Sequence, residues 1–313
     1  LGKLKEESFM KLLTVESVVA ALMSVVMTLA GAVPVIGTVV AKGAFRLDNA
    51  TVTGNATLFE GSTIETKSSS SHMELSSGAR IALGADSKAR FYSDHLILEK
   101  GEGQLEKAES FRFEAKGLSI QPETGNASAR VVLVDGARVE MAVLAGSFRV
   151  LNARGVLVAN VASGRALMLE PQATEGTSKL TGALRLAGGH LLLTDETTNV
   201  TVEVAGAGLS KEVGYRIEVT GTMDPTATPV TDASQFIRVT SVKRLGKAVA
   251  PGAGAAAAGQ GGAATAKAPG SGGGFAISTT TIAIIGGVAA AATLGGLAAA
   301  GKLPGQGAST ISR

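Results

Sequence analysis

Val139-Glu-Met-Ala-Val-Leu-Ala-Gly-Ser-Phe-Arg-Val-Leu-Asn-Ala-Arg-Gly-Val-Leu-Val158 contains three short runs in which alternate residues are apolar and would share a strand face. Val139, Met141 and Val143 form one run, Phe148 and Val150 the next, and Val156 and Val158 a third, with Gly146 and Gly155 between them. Alternate residues of a strand share a face, so each run is one apolar strand face and each glycine a reversal. Gly136, Gly146, Gly155 and Gly164 lie nine or ten residues apart. That spacing holds a strand and a tight turn and leaves no room for a crossover helix, which excludes a βαβ fold. The same pattern extends back through Leu118 and Ile120, Phe111 and Phe113, Ile81 and Leu83, and Met73 and Leu75, with Gly61, Gly78, Gly101 and Gly117 at the turns. An all-β domain is therefore expected, either a many-stranded sandwich or roll, or a solenoid-like stack. Alternation does not encode strand order, so the choice between them stays open.

A second unit follows at residues 179–246. Residues 180–186, 190–193, 198–204, 215–222 and 237–242 read as five strands. Leu209 and Val213 lie one helical turn apart between the third and fourth, and Gly214 supplies a stop. Three strands, a short helix and two more strands is the order of a small OB-like barrel. A nucleic-acid-binding barrel would show aromatic residues with basic neighbours on its second and third strands. Here Leu191, Leu192 and Leu193 are followed by Asp195 and Glu196, so no nucleic-acid partner is expected.

Both ends of the 313-residue chain are apolar. Lys3, Lys5 and Lys11 precede an apolar run at 12–29, and Ala30-Gly31-Ala32 offers the small residues a signal peptidase reads. Residues 1–32 read as a signal peptide or, uncleaved, as an N-terminal anchor. Glu16 inside the run would cost roughly 2–3 kcal/mol at a bilayer centre. Residues 275–300 carry no charge; as a helix they would span about 39 Å, more than the ~30 Å hydrocarbon core, and read as a transmembrane segment. Gly287, Ala291 and Gly295 would form a small-residue stripe for helix packing. Lys302 and Arg313, like the N-terminal lysines, fall on the cytoplasmic side by the positive-inside rule. Residues 247–274, almost entirely Ala, Gly and Pro, read as a tether with a reach of about 30 Å.

Composition removes several kinds of chemistry. Cysteine is absent, which excludes thiolate catalysis, cysteine metal sites and disulfides. There is no Trp and only two Tyr, so stacking platforms are scarce. His72, His95 and His190 have no second ligand at metal spacing, and no phosphate loop or nucleophile elbow occurs. Glu99, Glu102, Glu106 and Glu109 alternate with Lys100 and Lys107 as a solvated ribbon would. No catalytic residue, metal ligand or cofactor is assigned, and the expected protein is not an enzyme.

Three phrases together resemble a known family. They are Ala56-Thr-Leu-Phe-Glu-Gly-Ser-Thr-Ile-Glu-Thr66, Met73-Glu-Leu-Ser-Ser-Gly-Ala-Arg-Ile-Ala-Leu83, and Leu96-Ile-Leu-Glu-Lys-Gly101 with Gln104-Leu105. In this order they are similar to the FecR-type periplasmic domain. Val143-Leu-Ala-Gly-Ser-Phe-Arg-Val150 and residues 155–169 resemble its closing strands, so the likeness covers residues 39–172. A G-T-x-F phrase usual before those strands is replaced by Ser128-Ala-Arg-Val-Val-Leu-Val-Asp135. The resemblance implies a β module of the bacterial envelope, on the periplasmic face of the inner membrane. About a dozen residues precede the first apolar run, too few for a folded anti-sigma domain. The expected role is structural or protein-binding, with the membrane and an envelope protein as partners; a transmembrane sensor or assembly component is the alternative. The sequence points to no particular small-molecule ligand.

Overall fold

The computed structural model describes residues 33–171, 177–248, 282–285 and 288–292, and from Ile36 onward they belong to one compact unit. The N-terminal apolar run and the Ala/Gly/Pro stretch lie outside the described residues. The first part of the chain is all strand. It runs β1 (Val35–Leu47), β2 (Ala50–Phe59), β3 (Thr63–Thr66), β4 (Ser71–Leu75), β5 (Arg80–Leu83), β6 (Lys88–Phe91), β7 (His95–Lys100) and β8 (Glu102–Lys107). It continues through β9 (Arg112–Ala115), β10 (Leu118–Pro122), β11 (Ser128–Val134), β12 (Arg138–Ala145), β13 (Ser147–Leu151), β14 (Leu157–Ala162) and β15 (Ala166–Pro171).

Two ladders grow from β1. Its residues Gly37 to Ala41 pair with β4, and from there the order is β4, β5, β8, β11, β12, β15. Its residues Phe45 to Leu47 pair with β3, leading on through β6, β7, β9, β10, β13 and β14. All these pairings are antiparallel except β7 with β9. Gly43 sits where β1 passes from one ladder to the other, at φ 149°, and a Cβ there would lie 3.0 Å from Ser69 Cβ. A corner of this kind takes glycine because no other side chain fits it. The chain visits the two ladders in turn, and each gains its strands in chain order. The architecture left open by the sequence is therefore a roll that lengthens in one direction.

The alternating runs put their predicted faces inward. Met73, Leu75, Ile81, Leu83, Phe111, Phe113, Leu118, Ile120, Val139, Met141, Val143, Phe148 and Val150 are all buried in one core, together with Phe45 and Phe91. Val158 is buried as well, while Val156 is only partly covered because β14 begins one residue later. Large aromatic and branched side chains at period two supply the main stabilisation of such a roll, at roughly 1.5–3 kcal/mol for each fully buried one.

The second part is a closed five-stranded barrel. Its strands are β16 (Thr177–Ala187), β17 (His190–Asp195), β18 (Thr201–Ala205), β19 (Tyr215–Met223) and β20 (Phe236–Lys247), closed in the order β16-β17-β18-β20-β19. The β18–β20 pairing is parallel. A short 3-10 turn at Leu209–Glu212 lies between β18 and β19, with Leu209 buried. Five strands with a helical turn after the third match the sequence expectation.

The C-terminal segment departs from that expectation. Residues expected within a transmembrane helix form strands β21 (Ile282–Ile285) and β22 (Val288–Ala292), an antiparallel hairpin that extends the first ladder beyond β15. Ile282, Ile284, Ile285 and Val288 are β-branched and favour extended backbone, while Gly286-Gly287 opposes a continuous helix and suits a tight reversal. The edge of β15 also offers main-chain groups that need partners. Ala291 of the expected packing stripe lies in β22, opposite Met168; Gly287 and Gly295 lie outside the described residues. Among the described residues, no helix is long and apolar enough to cross a membrane.

Gly182 provides a test of the barrel. A Cβ built there lies 1.9 Å from the Thr194 carbonyl oxygen, inside the β16–β17 ladder. Gly182→Ala is expected to lower the stability to urea by about 2 kcal/mol or more, because backbone rather than a flexible side chain must move. Gly188→Ala, with nothing within 4 Å of its Cβ, meets no clash and is expected to cost only the roughly 1 kcal/mol of its positive φ of 58°.

Candidate functional site

The far end of the roll is where the structure concentrates its unusual features. β14 ends one ladder and β15 the other, and each bare edge is covered by a different part of the chain. Against β14, the Asn160 backbone N–H donates to the Thr198 carbonyl at 2.7 Å, and Asn160 Nδ2 donates to the Asn199 carbonyl at 3.2 Å. Gln235 Nε2 donates to the Leu157 carbonyl at 3.1 Å, and Arg165 Nη2 to the Glu196 carbonyl at 3.2 Å. The barrel thus meets the end of β14 by one main-chain bond and by side-chain amides and a guanidinium that donate to main-chain carbonyls. Against β15, β22 pairs from Leu167 opposite Ala292 to Pro171 opposite Val288. β21 packs alongside the barrel strand β16. Ala290, opposite Leu169, reaches the core at 2% exposure.

Asp195 holds the loop that seals β14. Its side chain is fully buried, and Oδ1 accepts from the Thr181 N–H at 3.0 Å. Oδ2 accepts from the Thr197 N–H, the Thr198 N–H and the Thr198 hydroxyl at 3.1, 2.8 and 2.9 Å. Burial pushes this carboxyl above its usual value, and the donors of Thr181, Thr198 and Thr197 oppose the push. The Thr198 carbonyl that receives Asn160 belongs to the same fixed turn. In the sequence Asp195 stands beside Glu196 as part of an acidic pair after three leucines; the fold puts the first inside and leaves the second outside, paired with Arg216 at 2.7 Å. Sequence reasoning missed this role. The available signal was the spacing Asp195-Glu-Thr-Thr198, a carboxylate followed by hydroxyl residues that turn back onto it.

Many of the remaining charged groups form surface ion pairs. Each histidine faces one carboxylate: His72 with Glu106 at 3.7 Å, His95 with Asp94 at 2.7 Å, and His190 with Glu203 at 2.7 Å. His95 is also stacked on Tyr92, with ring centroids 4.5 Å apart. No group of three or more potential metal ligands occurs among the described residues. Of the glutamates expected as a solvated ribbon, Glu99 lies across the strands from Lys88 and Arg90 and Glu102 from Arg130, while Glu109 pairs with Lys107 two residues before it. On the barrel, both aromatic rings are covered from within the chain. The Arg244 guanidinium lies 3.9 Å from the Tyr215 ring centroid and that of Arg238 5.8 Å from the Phe236 centroid. Arg244 is held by Glu212 and Arg238 by Asp224.

No protein-family model matches the chain, and no curated protein does. Two solved structures of a "putative anti-sigma factor from Parabacteroides distasonis ATCC 8503" are similar over 34% of this chain, with 12% identity and TM-scores of 0.30 and 0.29. The likeness spans 54% of the length of those chains.

Two expectations follow from the polar groups. Asp195→Ala orphans buried donors, each worth roughly 1–3 kcal/mol; it should lower stability by at least the upper part of that range and speed amide exchange in β14 more than in β4. Asp224 is held down to about 2 by the Thr226 hydroxyl and N–H and by Arg238. Its folded value lies below the ordinary value of 3.8, so its contribution is present above that value and is lost as pH falls from 3.8 towards 2. The Thr226 amide resonance of the folded protein should titrate with a midpoint of about 2 and remain unchanged in Asp224→Asn.

Proposed function

We propose that the chain is a membrane-anchored, non-catalytic envelope protein whose FecR-type roll and OB-like barrel act as one rigid scaffold for protein contact. The observation that carries this reading is the seam between roll and barrel. Backbone-directed bonds from Asn160 and Gln235, together with a buried core continuous through both parts, join them firmly enough to transmit position. A pair of domains on a free linker would not do so. The strand-and-turn order of the barrel supports the OB-like assignment. Its two rings lie under intrachain arginines instead of offering a stacking platform, which favours a protein partner over nucleic acid. The apolar runs at 12–29 and 275–300 support anchoring, with the scaffold on the periplasmic face of the inner membrane.

Fractionation tests this reading. The full chain, expressed in a bacterial host with an envelope of two membranes, is expected to resist alkaline extraction from the inner membrane. Protease should digest it in spheroplasts without permeabilisation. Recovery of the intact chain from the cytosol would overturn the reading. Mutating Asp195 should weaken capture of an envelope partner together with seam rigidity; capture that survives a loosened seam would remove the scaffold argument.

A further inference from the structure

We infer that the C-terminal apolar segment has two mutually exclusive seats, the edge of β15 and a lipid bilayer, so that membrane insertion of the tail strips the end of the roll. The inference rests on the anchoring reading above and adds a regulation to it. Its basis is that the same residues are required twice. To cover β15, residues Val288 to Ala292 must be extended and in register with Pro171 to Leu167, and Ile282 to Ile285 must fold back on them. To cross a bilayer as a helix, the uncharged stretch at 275–300 must place those same residues in helical backbone, because a hairpin with a bare edge leaves main-chain groups unpaired in hydrocarbon. No residue occupies both backbone regions at once.

The chemistry of the segment suits both seats. Its strand β22 is one valine and four alanines, and the side chain known to reach the core is the small one of Ala290. The grip on β15 includes a five-residue main-chain ladder, whose bonds a helix in lipid replaces within itself. Isoleucine, valine and leucine through 277–297 provide the apolar surface that a bilayer accepts. Thirty-four residues separate Lys247 from Ile282, enough contour for the segment to leave the roll while the barrel stays in place. When the tail leaves, β15 keeps its pairing with β12 and loses that with β22, and β16 loses the packing of β21. The exposed edge is then open to strand addition.

The absence of cysteine and tryptophan from the chain makes the test direct. Glu170 is exposed and stands opposite Ala289 in the ladder, a separation that a disulfide can bridge. The full chain carrying Glu170→Cys, Ala289→Cys and Leu297→Trp is mixed with phosphatidylglycerol–phosphatidylcholine vesicles whose phosphatidylcholine is brominated deep in its acyl chains. After reduction, the single tryptophan should be quenched. In the oxidised, locked form of the same sample quenching should fall at least fivefold and return on adding reductant. With unlocked protein, vesicles should also accelerate amide exchange across residues 166–171.

Equal quenching in the locked and reduced forms would overturn the exclusivity, as would insertion without faster exchange in β15. Failure of the cysteine pair to close within one chain would overturn the β15 seat. If the pair closes but the reduced form is never quenched, the bilayer seat fails and tail anchoring fails with it, a result distinct from the others.

Discussion

A sheet that grows by adding strands in chain order ends in bare main-chain donors and acceptors, and the need to pair them shapes the rest of this molecule. The roll ends in two such edges, β14 and β15, on the two ladders that diverge from β1. An uncovered edge invites association with other chains, and the terminal units of repetitive folds need a cap for the same reason. Here the following parts of the chain serve as caps: the barrel seals β14, and the hairpin of β21 and β22 covers β15.

The two caps differ in kind. The barrel brings a preformed turn, set by a buried carboxylate that accepts four hydrogen bonds, and presents the Thr198 carbonyl to the Asn160 amide. That joint is made of fixed polar geometry within a continuous core. The hairpin adds a strand of one valine and four alanines to the β15 ladder, with β21 alongside the barrel strand β16. One ladder therefore ends against a folded barrel, and the other against a two-stranded hairpin from the far end of the chain.

Much of this was legible in the residue pattern. Period-two runs identified the buried faces from Met73 to Val150, and regularly spaced glycines marked the reversals; Gly61, Gly78, Gly101, Gly117, Gly136, Gly146, Gly155 and Gly164 all adopt positive φ. The barrel elements were readable because each strand is bounded by turn residues and Leu209 and Val213 stand at helical spacing. The tail was read as a helix because length and lack of charge dominate that reading. The β-branched isoleucines and the Gly286-Gly287 pair carried the competing signal. The burial of Asp195 is not legible locally: Thr197 and Thr198 lie in its own turn, but Thr181, which closes the set, arrives from another strand.

The sequence by itself determined which faces are apolar, where the chain turns, that the body is built from strands and that cysteine chemistry is absent. These are local properties, set by side-chain period and backbone preference within a few residues. Tertiary structure alone decided that the strands enter two ladders in turn, that β1 belongs to both, that Asp195 lies inside, and that the tail lies on β15. Each of those outcomes depends on hydrogen bonds between segments far apart in the chain, and a main-chain amide looks the same in sequence whichever strand it will meet.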